Sequence, residues 1–165
     1  MKARAIKRRV ELHKRFLSDM GNSIVSHTDV SMWPFVFSIA EPIPMTFALY
    51  IYDNKNPAGG RPNLEYKFNI YVPGQKRGQY SSFDYTEGFP LMVSYSEDYD
   101  VYIIYDAEKH TNFKWCANIQ SRLEFILDAC SGKIATFVKK NNEVLIGITG
   151  RHLLEGIIKR LNIID

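Results

Sequence analysis

The chain has 165 residues, 45% of them hydrophobic, which suits the core of one ordinary domain. Its longest clean apolar stretch, Met45 to Tyr52, is far shorter than the roughly 20 residues a membrane-spanning helix requires. The two cysteines, Cys116 and Cys130, give neither a disulfide framework nor a zinc-ligand pattern. Buried free thiols in a reducing, cytoplasmic protein are therefore the expectation. The basic N-terminus has no apolar block behind it of the kind a signal peptide carries. The net charge of +3 is unevenly placed: seven cations against Glu11 give residues 1–15 a balance of +6, leaving −3 on the rest. Such a segment suits a polyanion or an acidic partner, and equally a solvated helix face.

In chain order, Ile6, Val10, Leu17 and Met20, with Leu12 and Phe16 beside them, recur at helical spacing opposite a Lys/Arg side. Gly21 and Asn22 stop this helix, expected over 2–20. A β-rich body follows over 33–165. Strands are expected at Phe35–Ile39, Met45–Tyr52 and the alternating Leu64–Val72, where Glu65, Lys67 and Asn69 take the polar side. Pro90–Tyr95 with Val101–Tyr105, and Ile134–Val138 with Val144–Ile148, read as hairpins. Ser121 and Glu124 read as a capping box for a helix burying Leu123, Ile126, Leu127 and Cys130, closed by Gly132. A last helix begins near Gly150 and buries Leu153, Leu154, Ile157, Ile158 and Leu161, with Glu155 and Lys159 paired outside. The sum is a single domain, 1–165, of mixed α/β and mainly antiparallel character, with about seven strands and three helices.

Two loops combine glycine with the side chains that contact phosphates and read base edges. One spans residues 54–63 and holds Lys55, Arg61 and Asn63. The other spans 73–84 and holds Gln75, Lys76, Arg77, Gln79 and Ser81. Either is also readable as an ordinary wet loop. A third segment, 106–120, sets Asn112, Lys114, Asn118 and Gln120 around Phe113 and Trp115. It suits contact with an exposed base, or an irregular connection pinned to the core by its aromatic rings. Trp33 and Trp115 suit a cage for a flipped methylated base, although a core role is the preferred reading. The four histidines are scattered, and no P-loop, GxSxG or HExxH occurs. Asp53-Asn54-Lys55 is a D-x-K that a metal-dependent nuclease would have to complete with a second carboxylate, Glu41 or Asp106 being the candidates.

Several blocks resemble a family. Residues 61–70 (RPNLEYKFNI), Val72-Pro73-Gly74-Gln75 with Arg77-Gly78, and Phe83-Asp84 look like blocks of a methylase-associated domain of bacterial restriction-modification loci. Residues 95–102, Asp106-Ala107 and Asn118-Ile119-Gln120 continue the resemblance, which covers roughly 45–160. Such domains occur alone or in front of McrB-like GTPases of the LlaJI type. The resemblance implies an open, seven-stranded pseudobarrel like the plant B-three domain and the EcoRII and BfiI specificity domains. In that fold two loop arms clamp the major groove, and cleavage or GTP hydrolysis resides elsewhere.

The resulting expectation is a binding module for double-stranded DNA, not an enzyme, that recruits a nuclease or GTPase of a restriction system. Base readout is expected from among Arg61, Asn63, Gln75, Arg77, Gln79 and Ser81, with Asn112, Lys114, Asn118 and Gln120 as secondary candidates. Phosphate contacts are expected from Lys2, Arg4, Lys7, Arg8, Lys55 and Lys76. No catalytic or metal-binding residue is assigned, and no cofactor or membrane partner is expected. Two alternatives stay open: a small nuclease built on Asp53 and Lys55, and a protein-interaction subunit.

Overall fold

A computed structural model describes residues 2–56 and 64–163, with the backbone alone for Lys2. The first helix, α1 (Lys2–Met20), stops where Gly21 takes a φ of 55°, a left-handed conformation that glycine adopts at little cost. Its buried stripe is Leu12, Phe16 and Met20, with His13 beside them. Ile6, expected on that face, is 47% exposed. At six residues before Leu12 it points roughly 120° away from the stripe.

Three strands follow: β1 (Ile24–His27), β2 (Phe35–Ile39) and β3 (Met45–Asp53). Then come β4 (Glu65–Ile70), β5 (Tyr80–Ser81), β6 (Phe89–Ser96), β7 (Val101–Ile104), β8 (Phe113–Lys114) and β9 (Ala117–Arg122). The chain closes with α2 (Leu123–Cys130), β10 (Ala135–Val138), β11 (Val144–Thr149) and α3 (Leu153–Asn162). The main sheet has seven strands in the order β1-β2-β3-β6-β7-β11-β10 and is open, with β1 and β10 at its edges. All its pairs are antiparallel except β3 with β6. The expected mixed α/β class, the seven-stranded sheet and the three helices are all present.

The parallel pair positions the rest. Parallel neighbours cannot be joined by a tight turn, so the chain between them must cross a face of the sheet. That crossing carries β4 and β5; the connection from β7 to β10 carries β8, β9 and α2. The strands of the two connections pair with each other, β4 with β9 and β5 with β8.

Each face of the main sheet therefore has its own core. Phe47, Leu49 and Ile51 of β3 meet Leu12 and Phe16 of α1 and Leu153 and Ile157 of α3 in one apolar cluster. The alternate residues Ala48, Tyr50 and Tyr52 lie in the other, with Tyr66 and Phe68 of β4, Ile119 of β9 and Phe125 and Ile126 of α2. This two-residue period is the strand pleat itself. Helix α2 comes so close at Gly147 that a Cβ there would lie 3.0 Å from both the Ala129 Cβ and the Phe125 ring.

Several local expectations are corrected. The Leu64–Val72 strand does not join the main sheet but forms a ribbon with β9, and Leu64 itself is 66% exposed. Strands β1, β5, β8 and β9 had no counterpart in the sequence reading. The Ser121–Glu124 capping box does not form. Ser121 belongs to β9 and accepts from Asn54 Nδ2 at 3.1 Å, while Arg122 stands at the N-cap of α2 without a side-chain bond. Helix α2 buries Phe125, Ile126 and Ala129 and leaves Leu127 exposed. Cys130 is exposed and Cys116 half-buried; both are free. Glu155 meets His152 at 3.1 Å rather than Lys159.

Candidate nucleic-acid interface

In the β4–β9 ribbon Glu65 stands opposite Arg122, Lys67 opposite Gln120 and Asn69 opposite Asn118. Tyr66, Phe68, Ile70, Ile119 and Ser121 point inward and are buried. The alternate positions must therefore face outward. Asn69, Asn118, Gln120 and Arg122 are exposed, and Glu65 and Lys67 half-buried. Lys55 extends the Lys67 rung on the other side of β4, exchanging backbone hydrogen bonds of 3.1 and 2.9 Å with Lys67. Its exposed ammonium lies 3.2 Å from Asp53. Among the described residues, the side chains of Lys67, Asn69, Asn118, Gln120 and Arg122 make no hydrogen bond or ion pair. The ribbon thus presents three amides and two unengaged cations on one face.

Among the described residues the outer edge of β9 is open. The Leu123 N–H donates to Leu64 O at 2.8 Å, which fixes the hydrogen-bonded pairs at the inward-facing positions of β9. The backbone groups of Asn118 and Gln120 therefore point away from β4. They face a groove of about 520 Å³ that Arg122, Phe125, Phe137 and Lys139 also line.

At the Ile70 end the ribbon runs into a built arm. Gln75 N–H donates to Val72 O at 3.1 Å and Gln79 N–H to Lys76 O at 3.0 Å, closing two consecutive turns. Gly74 and Gly78, at φ 81° and 84°, occupy the third position of each, where a left-handed residue is required. The Gln75 amide pins the arm: its Oε1 accepts from Val72 N–H at 3.2 Å, and its Nε2 donates to Gln79 O and Phe113 O at 3.0 and 3.2 Å. Gln79 Oε1 accepts from Lys76 N–H at 2.9 Å. Two amides expected to read bases are thus engaged in holding the arm, and Lys76 and Arg77 project at its tip, both exposed. Ser81 bonds Ser82 O at 3.4 Å. Asn112 and Lys114 are exposed beside the β5–β8 pair, where Lys114 faces Tyr80. Arg61 and Asn63 lie outside the described residues, as does the side chain of Lys2.

A buried charge cluster ties the connection after β7 to the start of β11 and to α3. The carboxylate of Glu143, which is fully buried, accepts from Asp106 N–H at 3.0 Å and from His110 Nε2 at 2.7 Å. Burial pushes the Glu143 carboxyl up, but His110, the Asp106 amide and Lys139 outweigh it and hold the group below its ordinary value. Arg160 donates to Val144 O at 2.6 Å and lies 3.5 Å from Asp106. Sequence reasoning assigned Glu143 and Arg160 no role.

The basic helix is organised differently. Arg8 holds Asp53 with two bonds of 3.0 Å and also reaches Glu11 and Glu97. Arg15 bonds Asp100 at 3.1 Å. The Arg9 guanidinium lies 3.8 Å from the Trp33 ring centroid and bonds the Tyr71 hydroxyl at 3.3 Å. Trp33 packs on Tyr50, Tyr52 and Tyr71, and Trp115 on Tyr71. Arg4 and Lys7 stay exposed, over a depression they share with Glu11, Asp53, Lys55 and Glu97. Asp53, the acid of the D-x-K, is the anchor of Arg8. Among the described residues no group of three His, Cys, Asp or Glu side chains is placed to hold a metal ion. No helix among them is long and apolar enough to cross a membrane.

Neither the curated proteins nor the solved structures contain a match to this chain. Residues 45–157, from the first residue of β3 into α3 and including the ribbon and its arm, match the profile of one family. The chain belongs to the methylase-associated X1 family, which ties it to methylase and restriction-modification biology.

Proposed function

We propose that this protein binds double-stranded DNA in a sequence-specific manner and serves as the target-recognition module of a restriction system. The observation that carries this reading is the outward ribbon face, where Lys67, Asn69, Asn118, Gln120 and Arg122 are all unengaged among the described residues. A two-stranded ribbon fits the major groove, about 12 Å wide, and Arg, Lys, Asn and Gln are the residues that bond purine edges there. Protein-binding surfaces have the opposite bias: their cores gain aromatics and lose lysine. The face carries Glu65 against the unengaged Lys67 and Arg122, with Lys55 beside them paired to Asp53. Lys76 and Arg77 on the arm, with Arg4 and Lys7 of α1, supply phosphate contacts. The protein acts by binding, and a nuclease or GTPase motor, of the kind that accompanies LlaJI-type and other McrB-like modules, performs the chemistry. Kinship with B-three-like specificity domains belongs to the same proposal.

Fluorescence anisotropy with a randomised duplex, titrated against salt, tests it. Binding that weakens linearly in log–log form with added salt, with enrichment of a defined site on selection, is the expected result. Absence of salt-sensitive binding at low ionic strength overturns the proposal and leaves a protein-interaction role.

A further inference from the structure

We infer that the ribbon reads its DNA site in a fixed linear order, the Asn69/Asn118 pair at one end and Arg122 at the other, with Lys67 and Gln120 between. This inference rests on the proposed DNA-binding function and adds which residues discriminate and in what sequence. It also relocates base reading from the Gln75–Ser81 arm to the β-ribbon.

Three features carry it. The first is register: the rungs Asn69/Asn118, Lys67/Gln120 and Glu65/Arg122 follow each other every second residue on both strands. Antiparallel strands rise about 3.4 Å per residue, so successive rungs are about 6.8 Å apart. Base pairs stack about 3.4 Å apart. Each rung therefore advances about two base pairs, and the three rungs span about four base-pair steps.

The second is chemistry. Asn and Gln match the N6 and N7 pair of adenine, whereas Arg and Lys match O6 and N7 of guanine. The Asn69/Asn118 rung selects adenine and the Arg122 end selects guanine. The central rung offers Gln120 for adenine and Lys67 for guanine. Glu65, opposite Arg122, is an acceptor suited to the cytosine N4 amino group on the complementary strand.

The third is availability. The ribbon side chains are exposed or half-exposed and unengaged among the described residues, whereas the Gln75 and Gln79 amides already hold the arm. The arm leaves the ribbon just beyond the Asn69/Asn118 rung, so Lys76 and Arg77 flank the adenine end and contact phosphate there.

The experiment is selection from a randomised duplex pool with the wild-type protein and with N118A, Q120A, R122A and K76A. Circular dichroism confirms that each variant is folded. The wild type is expected to enrich a site with adenine preference at one end and guanine preference about four base pairs away. N118A should lose discrimination at the adenine end and R122A at the guanine end, each by roughly 5- to 150-fold, with Q120A acting between them. K76A should weaken all duplexes alike and leave the enriched site unchanged. If the wild type enriches a site that N118A, Q120A and R122A all retain, the ribbon assignment is overturned while DNA recognition stands. If the three variants lose preference in a different spatial order, the linear readout is overturned. If the wild type enriches nothing, the proposed function falls and this inference with it.

Discussion

Helix α1 and the β4–β9 ribbon both carry cations, and they use charge in opposite ways. The helix has more of it, yet Arg8 and Arg15 are paired with Asp53, Glu97 and Asp100, and Arg9 lies on Trp33. The ribbon has fewer cations, but they point outward beside amides that bond nothing else among the described residues. A density of Lys and Arg along the chain therefore marks where charge is, not where it is available. In α1 the acidic body of the protein is itself the partner of the basic helix.

The comparison predicts separate mutational signatures for the two regions. The largest effect belongs to the helix side: Phe16 is completely buried between α1 and the sheet, packed on Phe37 and edge-on to Tyr102. Phe16→Ala should lower unfolding stability by about 3–5 kcal/mol in urea titrations. A loss below about 1 kcal/mol would mean that α1 is not integral to the core.

Next comes the Arg8–Asp53 clamp, whose side chains are 26% and 17% exposed. Asp53→Asn should cost about 1–3 kcal/mol of stability, because two charge-assisted bonds are lost. It should leave the slope of DNA affinity against salt unchanged. An altered slope with intact stability would show that Arg8 is a phosphate contact after all.

Lys67→Ala should behave inversely. Its stability should stay within about 0.5 kcal/mol of wild type, while discrimination at the centre of the selected site falls by roughly 5- to 150-fold. Unchanged discrimination there would remove Lys67 from base reading.

The smallest effect at neutral pH is that of His13. Its ring is buried and stacked on Phe35, its Nδ1–H donates to Val30 O at 2.6 Å, and Nε2 is buried without a partner among the described residues. Burial lowers its pKa below 6.5; the Val30 bond opposes this and the Arg9 charge adds to it. The unfolded chain thus takes up this proton before the folded one does, so stability should fall as pH drops below about 6.5. His13→Phe should flatten the decline between pH 7 and 5. Glu143 has its pKa held low, so its loss of stabilisation falls below its ordinary 4.5, outside this window. An unchanged pH profile in His13→Phe would assign the decline to other groups.

The elements legible in the sequence were those whose own residues carry a strong local signal. Met45–Tyr52 is a clean apolar stretch of strand-forming residues, and α1 repeats Leu12, Phe16 and Met20 at helical spacing. Strand β9 was missed because only Ile119 among its inward residues is strongly apolar; Ala117 and Ser121 give a weak alternation. Asn118 and Gln120 were nevertheless recognised as candidates from residue type, whereas Lys67, Asn69 and Arg122 were not. Lys67 and Asn69 read as the ordinary polar side of a strand, and Arg122 fell inside the expected Ser121–Glu124 capping box. Gln75 and Gln79 erred the other way. Two back-to-back turns leave backbone groups that need partners, and the neighbouring amides supply them.

The sequence by itself determined the strand and helix periods, the glycine-bearing turns and the inventory of amides and cations. Tertiary structure decided which of those groups stay free. The crossover that joins the parallel β3–β6 pair meets the long β7–β10 connection on one face of the sheet, and their meeting aligns Asn69 with Asn118 and Lys67 with Gln120. Pairing between segments some fifty residues apart has no local signature, because it depends on where the crossover brings the chain back.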